Sequence, residues 1–263
     1  MIDAKTDEQT TCILVTNDDG YNAPGLKLLE AMARSISDDV WIVAPEEEQS
    51  GKGHALSLHE PVRYRQIDEK YFSVKGTPTD CVMMATHTLM PKRPTLLLSG
   101  VNRGVNLAED MTYSGTISAA MEGTICNIPS IAFSQEVARD YRKDLFQVAR
   151  EHGLALLKNL IAVPWQAGVF MNVNFPLYPD QLKGIRTTQQ GFRDDAELFI
   201  DEREDPRGGR YHWIGFRREY GTPKPDTDLA AIKDGYISIT PLHLNLTHYK
   251  SMLTIKDKMN KDF

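Results

Sequence analysis

Residues 13–26 read ILVTNDDGYNAPGL. The apolar run at the front has the continuous hydrophobicity of a strand buried on both faces, as in a parallel sheet. It stops at two adjacent carboxylates, Asp18 and Asp19, followed by Gly20. Pro24 suits the first turn of a helix. Beyond it Leu26, Leu29, Ala33 and Ile36 recur at helical spacing, with Leu28 and Met32 widening the stripe. Strand, polar turn and helix in that order open an α/β fold. The turn itself raises a chemical question, because two like charges side by side repel and a corner needs no such pair.

Outward from this stretch the pattern repeats. Apolar runs at 40–44, 95–98, 130–133 and 169–173 read as strands, and 62–67 and 72–74 as short ones. Thr77 and Pro78 have the N-cap and first-turn positions of a helix. Helices are also expected over 114–126, with Ser114 at the cap, and over 145–161. The alternation through about residue 175 predicts a doubly wound α/β core with a mostly parallel sheet. From 192 to 218 the chain is charge-rich, and DPRGGR reads as the turn of a projecting hairpin with arms at 196–200 and 211–216. A strand at 236–240 and a helical tail follow. Three segments result: a frayed N-terminal tail at 1–11, a catalytic core at 12–190, and a hairpin and tail at 191–263.

The 263 residues exceed what one minimal core requires. Hydrophobic residues make up 41% and charged residues 25%, ordinary for a soluble globular chain. A net charge of −6 makes nucleic-acid polymers and anionic membranes poor partners. Cys12, Cys81 and Cys126 are odd in number, far apart and set in apolar runs, which reads as free thiols in a reducing cytoplasm. Met1 to Thr11 is polar and acidic, unlike a leader. No apolar run approaches the roughly 18 residues of a membrane span.

In open α/β sheets ligands bind outside the carboxyl ends of the strands. Three loops expected there carry polar groups. The first holds Asn17, Asp18, Asp19 and Gly20; the second, at 45–60, holds Ser50 and His54; the third, in SGVNRGVN, holds Asn102 and Asn106. The plain reading of the Asp pair is a turn, since Asp-Gly is a common turn dipeptide. The chemical reading is a divalent cation relieving the repulsion. Its other donors would be the Ser50 hydroxyl and the Asn102 amide oxygen, an all-oxygen set that selects Mg²⁺, Mn²⁺ or Ca²⁺ over zinc or copper. Ser114, Gly115, Thr116 and Ile117 open a small-residue helix whose N–H groups could receive an anion. The competing reading is a plain capped helix packed closely through Gly115.

Other features fail or stay ambiguous. GKG at 51–53 lacks the P-loop spacing. His87 falls in a helical stripe and reads as a core or partly buried residue. His54 reads as structural support or a catalytic group. Asp226 and Asp228 could pair on a metal, or Asp228 could cap the short helix after it.

Taken in order, TNDDGYNAPGL, EQSGKGHALS, GTPTDC, SGVNRGVN, YSGTISAAMEG, VNVNFP and TDLAAIKDGYISITPL resemble the motifs of the SurE family of metal-dependent nucleotidases over about 13–242. The resemblance implies a Rossmann-like core with C-terminal segments exchanged between subunits, as a homodimer or homotetramer. It implies a 5′/3′-nucleotidase that releases phosphate from nucleoside monophosphates, with short-chain polyphosphate as a further substrate. One Mg²⁺ or Mn²⁺ would be held by Asp18, Asp19, Ser50 and Asn102, and phosphate by Asn106, Ser114, Gly115 and Thr116. Asp18 or Asp19 would act as base or orient the water, with Asn106 and Ser114 stabilising the charge that develops on phosphate. Two alternatives remain open at this point. One is an aspartyl-phosphate phosphatase using Asp18, although Gly20 stands where such enzymes place a second Asp. The other is a non-catalytic nucleotide sensor with a structural metal.

Overall fold

A computed structural model of the chain describes residues 11–138, 144–193, 197–217 and 220–262. All but Thr11 of the tail expected at 1–11 therefore lies outside the described residues, as do Ala196, which begins one expected arm, and Arg218.

The strands are β1 (Cys12–Thr16), β2 (Asp39–Pro45), β3 (Arg63–Asp68), β4 (Tyr71–Lys75), β5 (Leu96–Arg103), β6 (Ser130–Gln135), β7 (Val169–Phe175), β8 (Gly184–Thr187), β9 (Glu197–Glu204), β10 (Arg210–Arg217) and β11 (Tyr236–His243). The helices are α1 (Pro24–Arg34), α2 (Pro78–Met84), α3 (Gly115–Ile125), α4 (Gln147–Ile161), α5 (Asp228–Lys233) and α6 (Tyr249–Asp262). Nine strands form one sheet in the order β3-β4-β2-β1-β5-β6-β7-β11-β8. Its pairings are parallel except β3 with β4 and β7 with β11. The architecture is α/β and Rossmann-like.

Every residue of β1 is buried. Because successive side chains of a strand point to opposite faces, Ile13 and Val15 join one core with Leu26, Leu29 and Met32 of α1 and Leu157 of α4. Cys12 and Leu14 join the other with Cys81 and Val82 of α2 and Ala119 of α3. A continuous apolar strand with helices on both sides is the physical content of the doubly wound pattern. Pro24 takes the first helical position of α1 without a side-chain cap. Thr77 and Asp80 form a reciprocal capping box at α2.

Several elements depart from the sequence expectation. β5 does not end near Leu98 but continues to Arg103, pairing Asn102 with Ser134 and Arg103 with Gln135 after an irregularity beyond Ser99. Asn102 therefore sits on the end of a strand, not in a free loop. His87 is exposed, in a five-residue π-turn over Ala85–Leu89. Thr227, not Asp228, caps α5. β11 pairs with β7 and β8, so the stretch around it belongs to the main sheet although it lies within 191–263. β9 and β10 form a separate antiparallel pair, its turn closed by Asp205 accepting from the N–H groups of Arg207 and Gly209. Ile200, Trp213 and Ile214 of the pair and Tyr249, Leu253 and Met259 of α6 are exposed.

The amino end of the sheet, opposite the carboxyl ends of its parallel strands, is tied by Asp39 at the start of β2. It accepts from Trp41 Nε1 (3.0 Å) and pairs with Lys70 (2.9 Å) and Lys92 (2.7 Å). Burial works against its charge, but the bonds from Lys92 and Lys70 prevail and hold the carboxyl well below its usual range. A depressed native pKa contributes stability that is present above the unfolded value of about 4 and is lost as pH falls below it. Asp39→Asn is expected to lower Tm at pH 7 by about 2–4 °C, the shift that roughly 1 kcal/mol makes in a domain of this size. In thermal melts from pH 7 to 3, the gap from the parent protein should close as the pH drops below about 4; a constant gap would contradict this account.

Candidate active site

From β1 the chain moves to β2 on one side, and β5 later occupies the other side of β1. This reversal of strand order is the switch point at which open α/β sheets bind ligands. Asp18 and Asp19 stand on the first turn beyond β1 at that point. Gly20, at φ +97°, makes the turn possible. Asn17 Nδ2 donates to its carbonyl (2.9 Å) and closes the turn.

Asp18 is 4% exposed. Its Oδ1 accepts from the Thr116 hydroxyl at 2.5 Å, so the first turn of α3 faces this carboxylate. Burial pushes the Asp18 carboxyl up to about 6 against the opposing Thr116 hydrogen bond, and the Asp19 charge adds to the rise. Asp19 is also raised, by burial first and by Glu48, while an N–H from Arg103 (3.1 Å) opposes the rise. A Cβ on Gly115 would lie 2.7 Å from Asp18 Cβ and 3.0 Å from its Oδ2. Only glycine lets the helix approach this closely.

The three loops converge through neighbours of the expected ligands. Gln49, beside Ser50, donates its N–H to the Asp18 carbonyl at 2.7 Å. Arg103, beside Asn102, donates to Asp19. Thr116, beside Gly115, donates to Asp18. Ser50 is exposed, its hydroxyl donating to Glu48 Oε1 at 2.8 Å. Asn102 donates from Nδ2 to the Gly104 carbonyl at 2.9 Å, which leaves its Oδ1 as the atom suited to a cation.

The anion side is assembled differently from the sequence expectation. Ser114 caps α3 by accepting from the Ile117 N–H at 3.2 Å, so Ile117 is not open to a ligand, while the Ser114 hydroxyl keeps its own proton to donate. Thr116 faces Asp18. Asn106 is buried and gives one amide N–H to Ser134 Oγ at 2.7 Å, which leaves the other. His54 Nε2 lies 2.9 Å from Glu122 Oε2, tying the Ser50 loop to α3 in support of the site.

Asp226 and Asp228 do not form a metal pair. Asp226 is exposed, whereas Asp228 is buried and accepts from the N–H groups of Ala108, Gly191 and Leu229, each at 2.8 Å. Arg193, not singled out by the sequence, pairs with Glu109 (2.9 Å) and Asp110 (3.0 Å) on the turn preceding Ser114. Sequence spacing gave no signal for Arg193. For Asn172 and Asn174 it did: amides at i and i+2 interrupt an otherwise apolar strand.

Among the described residues no three His, Cys, Asp or Glu side chains group to hold a metal ion. Two crowded carboxylates with a hydroxyl and an amide oxygen nearby nevertheless fit a hard divalent cation, which would cancel the repulsion that burial amplifies. Such a donor set leaves positions for water and substrate.

Fold and site define an open α/β protein with a polar rim at the carboxyl ends of its strands. The family described as Survival protein SurE matches residues 13–197, and the chain belongs to that family. It is 51% identical over 249 residues to a protein named 5′-nucleotidase SurE from Hyphomonas neptunium, covering 93% of this chain and 98% of that one. It is 50% identical over 248 residues to the 5′-nucleotidase SurE of Caulobacter vibrioides, covering 93% and 94%. The crystal structure of the SurE protein from Aquifex aeolicus matches with a TM-score of 0.80 at 39% identity, over 94% of this chain and 99% of that one.

Gly115→Ala tests the close approach. Wedging Cβ against Asp18 should cost about 1–3 kcal/mol in urea unfolding. It should also lower phosphatase kcat by about 10²-fold through displacement of the helix N-terminus. Parent-like stability and rate would show that the helix can retreat without consequence.

Proposed function

We propose that the chain is a metal-dependent phosphomonoesterase that hydrolyses nucleoside 5′- and 3′-monophosphates to nucleoside and phosphate, and also acts on short-chain polyphosphate. The observation that carries this reading is the convergence of the α3 N-terminus on the buried Asp18 of the carboxylate pair at the switch point. The relatives named 5′-nucleotidase support the substrate class.

Asp18, Asp19, Ser50 and Asn102 would hold one Mg²⁺ or Mn²⁺. When bound, the ion supplies positive charge at the phosphate and a more acidic water. Asp18 or Asp19 would act as the base or orient the attacking water; as the water oxygen bonds to phosphorus the bond to the nucleoside oxygen breaks, and the proton the water gives up balances the one the departing nucleoside oxygen takes. Asn106 Nδ2, the Ser114 hydroxyl and the Gly115 N–H donate to the phosphate oxygens as charge builds on them. Burial of Asp18 keeps bulk water from competing.

The free thiols of Cys12, Cys81 and Cys126 support a cytoplasmic location. Net acidity argues against nucleic-acid polymers and anionic membranes as partners. Among the described residues no helix is long and apolar enough to cross a membrane. Within 191–263, the β9–β10 pair and α6 are the elements for assembly into a homodimer or homotetramer, by exchange between subunits. An isolated two-stranded ribbon is marginal in water, and the exposed Trp213, Ile214, Leu253 and Met259 need a covering surface.

Asp18→Asn and Asp19→Asn should each lower kcat/KM by at least about 10²–10⁴-fold with a nucleoside 5′-monophosphate and excess Mn²⁺, while circular dichroism stays unchanged. Near-parent phosphate release from both would remove the pair from the chemistry. Light scattering should give a dimer mass or larger for the intact chain at micromolar concentration, and a lower mass or aggregation after deletion of residues 197–217. A monomer mass for the intact chain would refute the assembly.

A further inference from the structure

Under the Asn106 loop the sheet presents polar groups where a core would be expected. Ser134 of β6, Asn172 and Asn174 of β7, Ser238 and Thr240 of β11, and Thr188 beyond β8 are all buried. They lie in register: Asn174 is paired with Ser134 on one side and Ser238 on the other, and Asn172 with Thr240. Thr188 bonds both Ser238 and Thr240 at 2.8 Å.

The amides of this layer converge on one residue. Asn174 Oδ1 accepts from the Asn106 backbone N–H at 2.8 Å. The Asn106 carbonyl accepts from Asn172 Nδ2 at 2.8 Å and from Asn174 Nδ2 at 3.1 Å. Asn174 Nδ2 also donates to Asn172 Oδ1 at 3.1 Å, fixing the two amides relative to each other. Ser134 holds the Asn106 side chain. Side chains thus pair both backbone groups of Asn106 as a neighbouring strand would. Apolar side chains over this loop would leave the Asn106 N–H and carbonyl buried without partners. A fully satisfied buried network instead confers a single rigid geometry.

We infer that Asn174, with Asn172 and Ser134, is a positioning residue. It touches no substrate and acts through Asn106, holding the remaining amide N–H of that residue where the phosphate oxygens gather charge. The inference rests on the phosphate-binding role of Asn106 given under Proposed function.

The test uses the full chain loaded with Mn²⁺, a nucleoside 5′-monophosphate as substrate and inorganic phosphate as inhibitor. Asn174→Asp keeps an acceptor for the Asn106 N–H but sets an oxygen against its carbonyl. Asn106→Ala is run beside it. Asn174→Asp should lower kcat and raise the phosphate inhibition constant, each by about 10- to 100-fold. The Mn²⁺ concentration for half-activation should stay within twofold of the parent, and Asn106→Ala should show the same split. A merely structural role would lower Tm while leaving the phosphate inhibition constant unchanged, and that result overturns the inference. If Asn106→Ala weakens phosphate and Asn174→Asp does not, the positioning role falls and the site reading stands. If neither weakens phosphate, the site reading falls and takes the inference with it. Should Asn174→Asp not fold, Ser134→Ala removes only the side-chain anchor and is read by the same inhibition constant; an unchanged value overturns the inference.

Discussion

The repulsion between two neighbouring carboxylates at the end of a buried strand organises this molecule. Asp18 and Asp19 would spread apart in water. Here the turn at Gly20 prevents it, and burial raises the cost of their charge. Each loop that could supply a further ligand is pinned to the pair by a residue adjacent to that ligand: Gln49, Arg103 and Thr116. The three loops are separated widely in sequence, so the pair is the point where the active rim acquires a common frame. A site held this way is preorganised around a charge deficit, which fits binding of a cation better than a passive turn.

The α3 N-terminus contributes to the same frame from the opposite direction. Its partial positive charge and the Thr116 hydroxyl bear on Asp18, while Gly115 packs directly against that carboxylate and Ser114 caps the helix. A single helix start therefore steadies a carboxylate with one residue and, under the proposed function, would offer donors to phosphate with its neighbours. The small side chains of YSGTISAA make this possible, since a Cβ at Gly115 would collide with Asp18.

Local signals carried much of this into the sequence. The short buried run of β1, Pro24 in the first turn of α1 and the caps at Thr77 and Ser114 each depend on neighbours a few positions away, and each was legible; the reciprocal partner of Thr77, Asp80, was not read. Asn102 on the end of β5 was not, because that extension depends on pairing with Ser134 and Gln135 across an irregularity. Asp228 looked like a cap or a ligand. Its carboxylate is instead consumed by backbone N–H groups on three separate segments, which no spacing reveals. The amides of β7 were visible as residues but not as a foundation, since their partner Asn106 lies more than sixty positions earlier. Apolar periodicity reports burial, whereas a polar side chain is explained only by the group it meets.

The strand order has a consequence for biosynthesis. β11 lies between β7 and β8, although it is the last strand made. During translation β7 and β8 must wait for residues 236–243 to emerge before either gains β11 as its neighbour. Until then the outer edge of β7 offers unpaired backbone groups, the kind of edge that recruits other chains. A nascent chain stalled before Tyr236 would carry the complete Asp18–Asp19 turn together with an adhesive sheet edge. That edge is covered only once β11 is in place, after the residues of the active rim have already been made.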